Sequence, residues 1–186
     1  MKRLIDIILA LIAIVLSIIP MVLIAFLIRL DTRGPAIYWS TRVGRRCKPF
    51  KMPKFRTMNL NAPLVPSDKL ENPNSHITPV GRVLRRTSMD ELPQLFSVLL
   101  GSMSLVGPRP IIPSQSELVA KRAKVGVYTL RPGITGWAQI NGRDYLNEAE
   151  KLRLDAEYVE RRNIFFDLYI MWRTVFYVVR SKAISH

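Results

Sequence analysis

The segment IILALIAIVLSIIPMVLIAFLI, from Ile7 to Ile28, is uncharged and apolar except at Ser17 and Pro20. As a helix it would rise about 33 Å, which is close to the thickness of a bilayer core. A cleaved signal peptide fits less well, because its apolar region usually has about 7 to 15 residues and precedes a small-residue cleavage site. Here the segment is longer and Arg29-Leu30-Asp31 follow it. We therefore predict a retained membrane anchor.

Pro20 lies near the middle of this segment, where it removes a backbone donor and predicts a kink. Ser17 is a candidate to satisfy the backbone groups that the proline frees. Basic residues flank both ends of the segment: Lys2 and Arg3 before it, and Arg29, Arg33 and Arg42 after it. Positive residues favour the cytoplasmic side, so a straight span would place one basic flank on the disfavoured side. We expect a kinked, re-entrant helix that enters and leaves one face, with a straight span as the alternative.

The chain is strongly basic. Its 186 residues include 28 Lys and Arg against 14 Asp and Glu, a formal net charge of +14. The cations form two sequence clusters: Arg42, Arg45, Arg46, Lys48, Lys51, Lys54 and Arg56, then Arg82, Arg85 and Arg86. Such clusters predict an anionic partner, either lipid headgroups, nucleotide phosphates or nucleic acid. One cysteine and two histidines build neither a disulfide framework nor a typical zinc site, so any metal would be a hard cation with oxygen ligands.

The rest of the pattern predicts a mostly helical α+β fold. Aromatic and β-branched residues nearly alternate in AIYWSTRVG (36–44) and PFKMPKFRTM (49–58), which predicts two short strands. Residues 59–75 are rich in Asn, Pro, Ser and Asp and predict an irregular loop. A helix is predicted from Ser88 or Asp90 to Gly101.

Two capping boxes and an aromatic stripe mark the C-terminal helices. Ser114 with Glu117 predicts a helix reaching Gly126, and Asn147 with Glu150 predicts one reaching about Arg162. Four rings then share one helical face: Phe165, Tyr169, Trp172 and Phe176. Such a stripe is commonly a core face, but the other faces are also apolar and charges recur too often for a span. We expect an amphipathic helix at the membrane interface.

The segment TSMDELPQLF places Asp90 and Glu91 at a predicted helix start, close to a cluster of arginines. One interpretation is that Asp90 caps the helix, with Pro93 in its first turn. The other is that a helix start and nearby arginines lower the carboxylate pKa and attract phosphate. An ionised nucleophile and an anionic electrophile would then meet, and aspartate attack on phosphorus is a known route to a covalent intermediate.

Two further segments suit phosphate or nucleotide binding. In SLVGPRPIIP, the residues Gly107, Pro108 and Pro110 stiffen the backbone around Arg109, which holds its planar guanidinium in one direction. In LRPGITGWAQINGR, three glycines permit tight turns between Arg131 and Arg143. Each segment alone also fits an ordinary loop.

The sequence resembles the monotopic phosphoglycosyl transferases, also called bacterial sugar transferases. The resemblance rests on KFRTM (54–58), HITPVGRVLRRTSMDELPQLFSVLLGSMSLVGPRP (76–110) and RPGITGWAQINGR (131–143), which cover most of the chain in order and spacing. It implies a UDP-sugar donor, a polyprenyl phosphate acceptor, Mg²⁺, and a re-entrant helix with the catalytic domain on the cytoplasmic face. Larger relatives carry an extra membrane domain, so this chain resembles the minimal form. The family often has serine directly before the kinking proline, whereas Ile19 stands there here.

The resemblance also implies a reaction and its residues. Asp90 would be the nucleophile that takes the phosphosugar from the donor, releasing UMP, before the undecaprenyl or other polyprenyl phosphate accepts it. Two roles for Glu91 stay open, binding Mg²⁺ with Asp90 or handling the acceptor's proton. Phosphate contacts are expected from Lys54, Arg56, Arg86, Arg109, Arg131 and Arg143. Residues 1–33 would form the anchor and residues 34–186 the catalytic domain, at the cytoplasmic face of a bacterial inner membrane.

The rival hypothesis is a non-catalytic basic protein that docks nucleic acid or acidic lipid. Net charge favours it, but a purely electrostatic binder needs neither a rigid turn around Arg109 nor carboxylates among its cations. We therefore expect membrane lipids and no nucleic acid as partners, while the oligomeric state is not encoded in these patterns.

Overall fold

The structure, a computed structural model, describes residues 1–62, 73–142 and 145–183. Within these ranges the predicted mostly helical α+β class is confirmed. The helices are α1 (Lys2–Asp31), α2 (Pro79–Thr87), α3 (Gln94–Leu100), α4 (Ser116–Lys124), α5 (Trp137–Ile140), α6 (Glu148–Arg161) and α7 (Ile164–Ala183). The strands are β1 (Ile37–Val43), β2 (Pro49–Phe55), β3 (Ser104–Val106) and β4 (Gly133–Thr135). Most of the predicted irregular loop at 59–75 lies outside the described residues.

Helix α1 lies along the folded domain by one face. Its buried residues recur at helical spacing: Asp6, Ala10, Ile14, Ile24 and Ile28. The other sides expose large apolar side chains, including Leu11, Leu16 and Phe26. Among the described helices it is the one whose length and composition suit a membrane crossing, and little of its apolar window is buried. The apolar faces that the domain leaves uncovered are therefore available to lipid.

Polar side chains fasten the first turns of α1 to the domain. Lys2 forms an ion pair with Asp167 of α7, and Arg3 donates to the carbonyls of Val98 and Leu99 at the end of α3. Asp6 accepts hydrogen bonds from the Ser104 hydroxyl and the Leu105 amide in the β3 region. These bonds satisfy an acidic group that would otherwise be costly to bury.

The far end of α1 packs on the same domain. Ile24 and Ile28 form a core cluster with Phe55 and Leu84. Both ends of the helix thus contact one folded unit.

α1 continues through Pro20 as one helix, so the helix does not end there, and the predicted kink and re-entrant course stay predictions. Pro20 lacks the amide that would reach the Leu16 carbonyl. Ser17 does not compensate as predicted, because its hydroxyl donates instead to Ala13 at 2.6 Å, with a longer contact to Ile14. Pro20 itself lies on the exposed side of the helix, away from the domain.

The two predicted strands form an antiparallel hairpin, with Tyr38 opposite Lys54 and Arg42 opposite Phe50. Side chains alternate between the faces of a strand, so Tyr38, Ser40 and Arg42 share the face that carries Lys54. The register therefore brings two cations of the first basic cluster onto one surface.

A short segment links α2 to α3. Ser88 ends α2 in the left-handed region with φ 57°, and Met89–Glu91 form a 3₁₀ turn. The predicted stop at Gly101 is confirmed, with φ 87° and amide bonds to Ser97 and Val98. The α-helix begins at Gln94, later than predicted, because the chain first turns through this tighter element.

Beyond α3, strands β3 and β4 pair in parallel. The Gly107–Pro110 segment follows β3 and runs alongside β4. The Asn147–Glu150 capping box of α6 is confirmed. The predicted Ser114–Glu117 box is wrong, because α4 begins after Gln115 and has no side-chain cap.

The aromatic stripe of α7 is exposed rather than part of the core, and Trp172 is 63% exposed. Buried Phe166 and Ile170 supply the core face of α7 instead.

Candidate active site

Asp90 and Glu91 lie in the 3₁₀ turn between α2 and α3. The capping interpretation of Asp90 is wrong: the residue before the turn is Ser88, the residue before α3 is Pro93, and neither position has a side-chain cap bond. Asp90 is buried, with 9% of its surface exposed. The carboxylates are therefore held by the bend of the chain and are available for a role other than capping.

Glu91 binds two cations through one oxygen. Lys54 Nζ lies 2.8 Å from Glu91 Oε1, and Arg109 Nη2 lies 3.0 Å from the same atom. Burial alone would raise the pKa of Glu91, but the charges and hydrogen bonds of Arg109 and Lys54 outweigh it and lower the pKa to about 2. Glu91 is thus ionised at any physiological pH and holds two residues from distant parts of the chain together.

Asp90 behaves differently. Burial raises its pKa and Glu91 adds to the effect, while Lys54, Arg85 and Arg109 offset them only in part. Nearby cations thus lower the pKa of both carboxyls as expected, but the expected net lowering is found only at Glu91, because burial and Glu91 outweigh the cations at Asp90. Lys54 Nζ lies 3.6 Å from Asp90 Oδ2, longer than its bond to Glu91. Two adjacent carboxyls with pKa values pushed apart allow one to be a fixed charge and the other to react.

The structure adds Arg42, which sequence reasoning did not select for the site. Its Nε donates to the Ser40 hydroxyl at 3.0 Å, and its Nη1 lies 3.5 Å from the Pro110 carbonyl. Burial and the charge of Arg109 lower the pKa of Arg42, while Tyr38 and Glu91 raise it. The sequence signal was the strand alternation, which puts Arg42 and Lys54 on one face of the hairpin.

The cluster carries surplus positive charge. Four cations, namely Lys54, Arg42, Arg85 and Arg109, act on two carboxylates, Asp90 and Glu91. These six described side chains carry a formal net charge of +2, and partial burial strengthens their electrostatic interactions. Such a site favours an anion of about two charges, which is the charge of a diphosphate ester.

The structure does not bring Arg56 into this group. Its guanidinium donates to the carbonyls of Thr32 and Arg33 and to the Thr32 hydroxyl, and the residue is 6% exposed. Arg56 thus ties the end of α1 to β2, because a guanidinium serves carbonyl oxygens as readily as phosphate. Arg56 thus has a structural role in this structure, and the phosphate contact expected of it stays a prediction.

The remaining predicted cations also lie elsewhere or cannot be placed. Arg131 donates to the Gly101 carbonyl at 2.7 Å, at the opposite end of α3 from the dyad, and the phosphate contact expected of it stays a prediction. Arg86 is exposed on α2, whereas its neighbour Arg85 bonds the Thr57 hydroxyl and acts on Asp90. Arg143 lies outside the described residues.

The dyad has the chemistry of a magnesium site. Mg²⁺ typically takes one or two carboxylates together with substrate phosphates and waters. Asp90 and Glu91 supply two carboxylates at one point, and Lys54 and Arg109 both contact Oε1 of Glu91. No group of three or more His, Cys, Asp or Glu side chains suited to a metal occurs in the described part of the chain. The residues therefore fit a metal shared with a phosphate ligand and not one enclosed by protein.

Comparison with known proteins identifies clear relatives. The sequence model described as "Bacterial sugar transferase" matches residues 1–181. The UDP-glucose:undecaprenyl-phosphate glucose-1-phosphate transferase of Escherichia coli is 41% identical over 98% of this chain, which corresponds to 41% of that protein. The uncharacterized sugar transferase EpsL of Bacillus subtilis is 38% identical over 100% of this chain and 90% of its own length. The undecaprenyl-phosphate galactose phosphotransferase of Salmonella typhimurium is 39% identical over 81% of this chain and 34% of its own. The chain thus spans well under half of the E. coli and Salmonella proteins.

Proposed function

Because the chain belongs to the bacterial sugar transferase family, we propose that it moves a sugar 1-phosphate from a UDP-sugar to polyprenyl phosphate. The observation that carries the proposal is the pair Asp90–Glu91 among four cations, a group with a formal net charge of +2: Lys54, Arg42, Arg85 and Arg109. The names of the relatives from E. coli and Salmonella, which act on undecaprenyl phosphate, support the acceptor class. The product would be the first lipid-linked intermediate of glycoconjugate assembly.

In the first step, a carboxylate oxygen of Asp90 attacks the β-phosphorus of the donor. The bond from that phosphorus to the bridging oxygen breaks, and UMP leaves with the electron pair. The phosphosugar is then carried on Asp90 as an acyl phosphate. Of the two carboxyls, Asp90 suits this role better, because Glu91 is already engaged by Lys54 and Arg109.

In the second step, an oxygen of polyprenyl phosphate attacks the same phosphorus. The bond to Asp90 breaks, the carboxylate is regenerated and the lipid diphosphosugar leaves. Asp90 returns to a site in which Lys54 again balances its charge. The two displacements use one nucleophile and one cluster of cations, so the donor and the acceptor bind in turn.

The cations bind and orient the donor diphosphate and the acceptor phosphate. Arg109 presents a planar guanidinium suited to two phosphate oxygens, and Lys54 supplies a point charge beside the attacking carboxylate. Arg42, on the neighbouring strand, adds a second guanidinium near Arg109. Charge that develops on the leaving UMP is met by groups already in place.

Mg²⁺ bound by Asp90 and Glu91 together with donor phosphate would supply further neutralisation of charge on the phosphoryl oxygens. The pKa of about 2 at Glu91 makes that carboxylate a very weak base. Of its two open roles, metal binding is therefore favoured over handling the acceptor's proton.

The proposed location is the cytoplasmic face of a bacterial inner membrane. Both ends of α1 contact one domain, through Lys2 and Arg3 at one end and Ile28 at the other. A helix held at both ends by a domain outside the bilayer fits an anchor that enters one leaflet better than a straight span. The exposed rings of α7 then suit the headgroup region.

A UMP-release assay tests the proposal. Purified protein in detergent with Mg²⁺ and polyprenyl phosphate is offered a panel of UDP-sugars, and UMP is quantified. At least one UDP-sugar should yield UMP and a lipid diphosphosugar, and Asp90→Asn should yield neither. Absence of UMP with every donor would contradict the proposed reaction.

A further inference from the structure

Arg122 of α4 and Asp155 of α6 form a buried ion pair. Arg122 Nη2 lies 2.5 Å from Asp155 Oδ2, and the two residues are 3% and 2% exposed. Removing both charges from water is expensive, and a hydrophobic pair of similar volume is often equally stable. Stability alone therefore does not explain why two charges lie here.

The second arm of Arg122 leads to the candidate active site. Its Nη1 donates to the main-chain carbonyl of Arg109 at 2.7 Å. The side chain of Arg109 in turn reaches Glu91 Oε1 at 3.0 Å. Arg109 thus joins the buried pair to the carboxylate dyad. Its main-chain carbonyl accepts a hydrogen bond from Arg122, and its guanidinium donates to Glu91.

The main chain just before Arg109 is held by hydrogen bonds to β4. The Gly107 amide donates to the Thr135 carbonyl at 2.9 Å, and the Gly133 amide donates to the Pro108 carbonyl at 3.0 Å. A Cβ at Gly107 would lie 2.5 Å from the Arg131 carbonyl, so the backbones are in direct contact. β4 fixes the main chain as far as Pro108, and Arg122 fixes it at the next carbonyl.

We propose that Arg122, held in place by Asp155, is a positioning residue that aims the Arg109 guanidinium at the donor diphosphate. This inference rests on the proposed function and extends it to two residues that do not touch the substrate. Asp155 holds one nitrogen of the Arg122 fork, so the other is directed at one carbonyl. A planar fork with two separate nitrogens is needed for this bridge, and a lysine offers only one.

The test replaces the pair as a unit. Arg122→Met together with Asp155→Leu leaves no unpaired buried charge, so the double variant is expected to fold. Because small misplacements of a binding group are costly, kcat/KM for the UDP-sugar should fall about 10- to 100-fold. Arg122→Lys, which keeps the charge beside Asp155 but loses the bridge, should fall in the same direction. Lys121→Gln, which breaks the exposed Lys121–Glu117 pair on the same helix, is the matched control and should leave kcat/KM unchanged.

A double-mutant cycle separates positioning from general support of the fold. In an Arg109→Lys background, replacing the buried pair should change kcat/KM less than about twofold, because the guanidinium that it aims is already absent. Equal fold-changes in both backgrounds would overturn the proposal, and so would full activity of both Arg122 variants. Thermal unfolding of each variant checks that the active fraction is the folded one.

A binding measurement distinguishes failure of the inference from failure of the proposed function. The Kd of inorganic diphosphate, measured by calorimetry, needs no turnover and should show the same coupling between the pair and Arg109. Wild-type protein that binds diphosphate with this coupling but releases no UMP would contradict the proposed reaction and support positioning. Wild-type turnover without any coupling would support the reaction and overturn positioning.

Discussion

Lys54 Nζ lies 2.8 Å from Glu91 Oε1, although the two residues are 37 positions apart in the chain. Arg109 reaches the same oxygen from a third segment. One ionised carboxylate therefore gathers two of the three cations that act on Asp90.

Asp90→Asn should give a folded, membrane-bound protein with no UMP release above background. Asparagine keeps the size and polarity of the side chain but forms no acyl phosphate. Wild-type protein given radiolabelled donor without acceptor should acquire acid-stable, hydroxylamine-sensitive label, and the variant should acquire none. Appreciable turnover in Asp90→Asn would instead favour direct attack of the acceptor on the donor.

Arg109→Lys should reduce kcat/KM by about 10- to 100-fold while folding and membrane association persist. The variant keeps the charge near Glu91 but loses the planar fork that grips two phosphate oxygens. Lys121→Gln, an exposed change on α4 away from the cluster, is the comparison and should have little effect. Wild-type turnover in Arg109→Lys would mean that Arg109 contributes only diffuse charge.

The pH dependence of the first step should follow Asp90. Its pKa lies above the ordinary value of 3.8, so single-turnover UMP release without acceptor should decline as pH falls through the raised pKa. Lys54→Met removes a cation that lowers this pKa, so the acid limb should move to higher pH. Glu91, with a pKa of about 2, ionises well below this limb. A limb that stays in place or moves to lower pH in Lys54→Met would contradict the assignment.

Because of Glu91, the stability of the folded protein should depend on pH in the acid range. Its pKa is lowered from 4.5 to about 2 in the folded chain, so the stabilisation is present above pH 4.5 and is lost as pH falls toward 2. Thermal unfolding of wild-type protein should therefore show a midpoint that drops across this window. Glu91→Gln should flatten that part of the curve, and an equally steep decline in the variant would assign the effect to other carboxyls.

The two ends of α1 should be accessible from the same side of the membrane. Leu4 and Leu30 are exposed near opposite ends of the helix. Leu4→Cys and Leu30→Cys, each in a Cys47→Ser background, should both react with a membrane-impermeant thiol reagent from the cytoplasmic side. Labelling of the two positions from opposite sides would show that α1 spans the bilayer.

Local patterns were sufficient for several features. Apolar length identified α1, strand alternation identified the β1–β2 hairpin, and the Asn147–Glu150 box marked the start of α6. The acidic pair at Asp90 and the rigid turn at Arg109 were also visible as motifs. These features depend on neighbouring residues and on backbone preferences, which the sequence states directly.

Only the tertiary structure decided what each cation does. Arg56 and Arg131 looked like phosphate ligands but bond backbone carbonyls at helix ends, while Arg42 joined the site. A guanidinium donates equally well to carbonyl and phosphate oxygens, so its partner is set by what the fold brings within reach. Burial, which raises the pKa of Asp90 against its cationic neighbours, is likewise a property of packing. The sequence by itself determined which charged groups are present, and packing decided which of them interact with one another in a partly buried site.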